Sequence, residues 1–226
     1  MRVREIAGPV GRLEALLDEP PVNGGVNAQG LVERGQNGGL RAAVVLAHPH
    51  PQYCGTMHTK AIYQSAKAFS RIGCAVLRFN FRGAGNSAGE FDSGPTEMPG
   101  EMDDFHAALD FLHERYPSAR LWAAGMSFGA WIALRVGAAD PRVTTLVGIA
   151  PPLSRYDFEP VRVSVKPKFF IQGERDELCP LKEMKEFYAR AADPKELVVI
   201  DGADHLFDGK VSEVADAIED LLGDWS

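Results

Sequence analysis

The chain has 226 residues, a net charge of −7 and three cysteines. That length suits a single domain, residues 1–226, with a core large enough to fold without disulfides or a structural metal. The acidic balance, with no Lys/Arg cluster to reverse it locally, argues against a nucleic-acid partner, and no apolar run is long enough to cross a bilayer.

The pattern alternates strand and helix, which predicts an α/β fold with a mostly parallel sheet covered on both faces. Residues 2–6 and 11–18 read as two short strands turning at Gly8-Pro9. From Pro20 to Gly39 the chain is rich in Gly and Asn without apolar periodicity, so 20–39 is expected to be a mobile loop. Residues 41–47 form a continuous apolar run, as a buried strand does. A helix is expected over 56–71 and a strand over 74–80, followed by a Gly-rich loop from Arg82 to Gly100. Next come a helix over 101–115, a strand over 120–124, a helix over 128–138 and an apolar strand over 143–149. The connection to the next strand, 168–172, holds Pro151, Pro152, Pro160 and Pro167, so no large helical cap is expected there. A helix over 180–191, a strand over 197–200 and a helix over 211–222 close the chain.

Chemistry concentrates at the ends of the predicted strands. Gly125-Met126-Ser127-Phe128-Gly129 reads G-x-S-x-G at a strand-to-helix junction. A serine hydroxyl that must stand out from a sheet on a sharp turn needs small neighbours, and the following helix aims free N–H groups at the place where negative charge develops. Ser127 is thus the candidate nucleophile. It needs a base, and His205, in the loop after the last strand, is the candidate. The base needs an acceptor to hold its tautomer. Asp176, after the penultimate strand, is the candidate, with Glu174, Glu177, Asp201 and Asp204 as competitors. An oxyanion would be held by the Phe128 N–H and by a donor from His48-Pro49-His50-Pro51-Gln52. Pro49 and Pro51 have no N–H, which leaves His50, with Gln52 second. Tyr53 and Met126 are candidate substrate-binding residues by their nearness to these motifs. No nearby Cys, Asp or Glu completes a ligand set with the two histidines, so no metal and no cofactor are expected. Arg82 to Ser87 lacks the ending of a phosphate loop and reads as structural.

The segments HPHPQYCG (48–55), LRFNFRGAGNSAGEF (77–91), GMSFGA (125–130), IQGERDELCP (171–180) and DGADHLF (201–207) together resemble the α/β-hydrolase superfamily. More narrowly they resemble a bacterial group of small hydrolases without a lid. The resemblance implies an eight-stranded sheet, no large cap domain and the triad Ser127, Asp176 and His205. In that group paired glycines usually follow the His-Pro-His-Pro stretch; here Cys54 precedes Gly55, which is expected to alter the oxyanion loop or narrow the pocket. The expected activity is that of a carboxylesterase acting on small or short-acyl esters. A thioesterase, a peptidase and a non-catalytic binding protein stay open as alternatives. Cys54, Cys74 and Cys179 are too scattered for a disulfide framework, and the opening residues lack the apolar stretch of a signal peptide. A reducing cytoplasm is therefore the expected compartment, with a small-molecule ester as partner, no membrane partner, and the oligomeric state left open, a homodimer included.

Overall fold

Strand alternation sorts the apolar residues onto two faces of one sheet. In the third strand Ala43, Val45 and Ala47 join one buried cluster, while Ala42, Val44 and Leu46 join the other. This is the two-residue period of a strand covered on both sides. The computed structural model describes residues 3–20, 40–92 and 98–225. All but Pro20 of the loop expected over 20–39 lies outside the described residues.

Eight strands form the sheet: β1 (Glu5–Gly8), β2 (Gly11–Asp18), β3 (Ala43–Ala47), β4 (Ala75–Phe79), β5 (Leu121–Met126), β6 (Val143–Ile149), β7 (Lys168–Gly173) and β8 (Lys195–Ile200). Their order is β1-β2-β4-β3-β5-β6-β7-β8. β2 runs antiparallel to β1 and β4, and the rest are parallel. Six helices cover it: α1 (Lys60–Arg71), α2 (Pro99–Arg115), α3 (Phe128–Ala139), α4 (Glu159–Val163), α5 (Leu181–Arg190) and α6 (Val211–Leu222). α1 and α6 pack on one face, with Ile62, Phe69, Val214 and Ile218 buried there. α2, α3 and α5 pack on the other, through Phe105, Leu109, Trp131 and Phe187. The parallel strands all deliver their C-terminal ends to one edge, where loops of an open α/β sheet converge on a site.

Two expectations about elements change. The helix expected from residue 56 begins at Lys60. Side-chain hydroxyls hold the residues before it in a turn: the Thr56 N–H donates to Thr59 Oγ1 at 3.2 Å and the His58 N–H to Thr56 Oγ1 at 3.2 Å. Such local bonds compete with helix. The proline-rich connection also holds a helix, α4, whose Pro160 lies in the first turn, where a missing N–H costs nothing. At five residues α4 covers little, and among the described residues no cap domain overlies the sheet edge.

Candidate active site

The site begins with the turn at Ser127. The chain leaves β5 and enters α3 with one residue between them, and Ser127 has φ +52° and ψ −121°. Such a conformation costs an L-residue of order 1–3 kcal/mol and persists only where the surroundings enforce it. The enforcement is visible. The Ser127 N–H donates to the Ile149 carbonyl at 2.8 Å, and its own carbonyl accepts from Ala130 at 2.9 Å and Trp131 at 3.1 Å. Side chains are excluded on both sides. A Cβ on Gly125 would sit 2.2 Å from the Gly129 carbonyl oxygen, and one on Gly129 would sit 2.4 Å from that of His48. α3 therefore packs backbone to backbone against β5 and the end of β3, which forces the serine outward.

The loops after β7 and β8 bring the other two side chains to that serine. His205 Nε2 lies 2.9 Å from Ser127 Oγ, and His205 Nδ1 lies 2.9 Å from Asp176 Oδ2. A carboxylate can only accept, so Nδ1 carries the proton and Nε2 is left to accept from the serine hydroxyl. Asp176 is buried and held at both oxygens. Oδ1 accepts from the Leu178 and Cys179 N–H groups at 2.9 and 2.7 Å, and Oδ2 accepts from Gln172 Nε2 at 3.0 Å as well as from the histidine. The competing acids are occupied elsewhere or lie apart from the imidazole. Asp204 Oδ1 accepts from the Leu206 and Asp208 N–H groups, and Glu174 accepts from Gly202. Glu177 lines the cleft without bonding to His205.

The donors face the same opening. The Phe128 N–H is the first of α3 and has no carbonyl one turn behind it. Among the described residues the His50 N–H has no acceptor either. Gln52, the second candidate, is spent: its N–H donates to His50 Nδ1 at 3.2 Å. The prolines leave the loop stiff, and His48 fixes it from below. His48 is fully buried, its Nε2 accepts from the Phe81 N–H at 3.2 Å, and its Nδ1 donates to the Pro49 carbonyl at 2.5 Å. Burial lowers its pKa to about 4, so it is neutral at neutral pH, as both bonds require.

A cleft of about 800 Å³ opens above Ser127. Phe128, Tyr53, Tyr156 and His50 line it, and Tyr156 stacks flat on Trp131 with ring centroids 4.1 Å apart. His50 packs against Phe91 and Phe128 at 4.9 Å each, and burial lowers its pKa too. Tyr53 lines the cleft and is exposed. Met126 is a correction: its side chain is fully buried among Val147, Ile149 and Phe169 on the α1/α6 face, because consecutive residues of a strand point to opposite sides. Cys54 is a second correction, since it is exposed and does not line the cleft, and so cannot narrow it. Sequence reasoning missed two contributors: Gln172, which anchors Asp176, and His48, which anchors the loop that carries His50. Gln172 and His48 stood within quoted segments, but nothing in their spacing assigned them a partner.

Asp176, Cys179 and His205 place an oxygen, a sulfur and a nitrogen within 4.8 Å of one another. The donors do not suit a metal. The Cys179 thiol bonds to the Ala150 carbonyl at 3.4 Å and its pKa is raised by burial, while the Asp176 oxygens are already taken. The Gly-rich loop after β4 is structural, as expected. Arg82 and the buried Asp104 clamp it through bonds at 2.8 and 3.1 Å, and Asn80 ties it to Glu14 and Met57.

Known proteins are similar to this chain. The family model for serine aminopeptidases, S33, matches residues 38–165. An uncharacterised protein of Rickettsia prowazekii is 38% identical over 189 residues, 80% of this chain and 77% of that protein. A Xanthomonas campestris protein described as an α/β serine hydrolase without lid superposes with a TM-score of 0.84 at 31% identity, covering 100% of this chain and 94% of that one. An α/β serine hydrolase homologue from Coxiella burnetii superposes with a TM-score of 0.81 at 32% identity, covering 98% and 97%.

Proposed function

The chain belongs to the serine aminopeptidase S33 family of α/β serine hydrolases, and from that premise we propose that it is a carboxylesterase acting on small or short-acyl esters. The observation that carries the reading is the unbroken path from Asp176 through His205 to a strained, outward-facing Ser127. His205 Nε2 takes the Ser127 proton as Oγ attacks the ester carbonyl. The carbonyl oxygen becomes an oxyanion between the Phe128 and His50 N–H groups. The imidazolium, steadied by Asp176, returns its proton to the departing alcohol and leaves an acyl-serine. Water, deprotonated by the same histidine, then releases the acid and restores the serine.

The family name does not fix the bond, since one triad serves esters, thioesters and amides. The short-acyl reading is supported by a cleft that no cap overlies among the described residues, and by its aromatic lining of Phe128 and Tyr156. The three free cysteines suit a reducing, cytoplasmic setting, and no helix among the described residues is long and apolar enough to cross a membrane.

A fluorophosphonate probe with mass-spectrometric mapping tests the nucleophile: labelling is expected at Ser127 and is expected to vanish in His205→Ala. Absence of labelling in folded wild type would favour a binding protein. The bond is tested by kcat/KM on matched ester, thioester and amide substrates, with the ester expected highest. Preference for long-chain over short-chain p-nitrophenyl esters would overturn the short-acyl assignment.

A further inference from the structure

The two walls of the cleft differ in charge. The loops after β7 and β8 contribute Arg175, Glu177 and Asp204 to the cleft, one cation against two anions. The opposite wall, the loop between β6 and α4, presents Pro152, Tyr156 and Arg155. Arg155 is exposed, and among the described residues its guanidinium has no hydrogen bond and no ion pair. The acids closest to it in sequence are committed elsewhere: Asp157 bonds Arg135 at 3.0 Å, and Glu159 bonds Arg162 through both oxygens. The groups that feel its charge are His50, Tyr156 and Cys179, on three different loops around the opening. Arg155 therefore brings to the cleft that holds Ser127 a positive charge with no ion pair among the described residues, in a protein whose net charge of −7 would otherwise repel anions.

We propose that Arg155 is the anion-binding element of the cleft and that the substrate is an ester bearing a carboxylate, separated from the reacting carbonyl by an apolar segment. The inference rests on the hydrolase reading for the reaction, but not for the binding. A guanidinium matches a carboxylate with two parallel bonds, and it keeps its charge at every physiological pH. The apolar segment follows from what lies between the two: Phe128 and Tyr156 on the floor, with Tyr53, Leu178 and Leu206 exposed on the rim.

The reaction test uses two matched pairs that place the carboxylate on the acyl or the alcohol arm. They are mono-4-nitrophenyl adipate against 4-nitrophenyl hexanoate, and 4-acetoxybenzoate against its methyl ester. The ratio of kcat/KM, charged over neutral, is expected to fall roughly 10- to 100-fold in Arg155→Gln for at least one pair, the worth of a charged hydrogen bond. Rising salt should lower the wild-type ratio, and Arg175→Gln should leave it within about threefold, since Arg175 shares its side of the cleft with two acids, Glu177 and Asp204. The binding test needs no turnover. Ser127→Ala should bind mono-4-nitrophenyl adipate more tightly than 4-nitrophenyl hexanoate by calorimetry, and lose that preference when Arg155→Gln is added. If wild type turns over esters with a ratio that ignores Arg155, the anion site is refuted and the hydrolase reading stands. If no ester is cleaved but binding still discriminates through Arg155, the reverse holds. Failure of both refutes the anion site.

Discussion

The floor and the rim of the cleft are built on opposite terms. On the floor Asp176 and His48 are buried with their polar atoms partnered, and Ser127 sits in a strained backbone held by close packing. On the rim Tyr53 is 76% exposed, Leu206 52% and Leu178 49%, and Arg155 is exposed with no ion pair among the described residues. Buried, satisfied groups hold one geometry and lose much when a partner goes, whereas exposed groups cost little to change until a ligand covers them. A reaction common to many substrates therefore belongs to the floor, and the choice among substrates to the rim. Floor substitutions should depress all substrates alike, and rim substitutions should reorder them.

The largest effect expected is that of Ser127→Ala. In a serine protease, loss of the nucleophile costs about 10⁶-fold in kcat, and a comparable loss should be seen here for every ester. The urea midpoint should stay near that of wild type, since the hydroxyl bonds only to His205. Asp176→Asn comes next, with about 10⁴-fold lost by analogy with the same change in a protease triad. Asp204→Asn serves as its contrast: that carboxylate holds only the N–H groups of its own loop, so its effect should be far smaller. A greater loss from Asp204→Asn would mean that the acid has been misassigned.

How much of this was legible in the sequence follows the same division. β6 and α6 match the expected ranges residue for residue, because their apolar periods run unbroken between clear stops. Ser127, Asp176 and His205 could be singled out because each lies at a strand end in a short pattern that the chemistry constrains, and the structure brings the three together. His48 acts through a bond to Phe81, 33 residues away, and no local pattern encodes that pairing. Gln172 bonds Asp176 and the Cys179 carbonyl in the loop directly after it, but nothing in its residue type or spacing marked it as the anchor. Met126 was misjudged because nearness to a motif ignores the alternation of a strand. Arg155 stands in no motif, and its place on the cleft without an ion pair among the described residues shows only in three dimensions.

His48 extends the comparison to pH. Its ring is neutral in the fold with a pKa of about 4, and its ordinary value is 6.5. Below 6.5 the unfolded chain binds a proton that the folded chain does not, so this contribution to stability is whole above 6.5 and is lost as pH falls toward 4. At about 1.4 kcal/mol per unit, roughly 3 kcal/mol is at stake. Urea titrations from pH 7 to pH 4 should therefore show a steeper loss for wild type than for His48→Gln, which can still accept from Phe81 and does not titrate. Equal slopes would mean that His48 takes up a proton in the fold as readily as in the unfolded chain, so that neither its burial nor its acceptance from Phe81 holds it neutral.

Cys54 tests where the floor ends. It follows the turn Pro51–Tyr53 with φ +62° and ψ 18°, a left-handed conformation, and its N–H donates to the Pro51 carbonyl at 3.1 Å. An L-residue there costs roughly 1–2 kcal/mol, and glycine escapes that cost while losing about 0.5–1 kcal/mol through the freedom of its unfolded chain. Because the thiol is exposed and makes no contact that glycine would forfeit, Cys54→Gly should be neutral to slightly stabilising, by up to about 1 kcal/mol, or roughly 2–4 °C in Tm for a chain of this size. A clear loss of stability would place this residue with the floor, its side chain holding the oxyanion loop. A gain would make it rim, where strain is tolerated because little is packed against it.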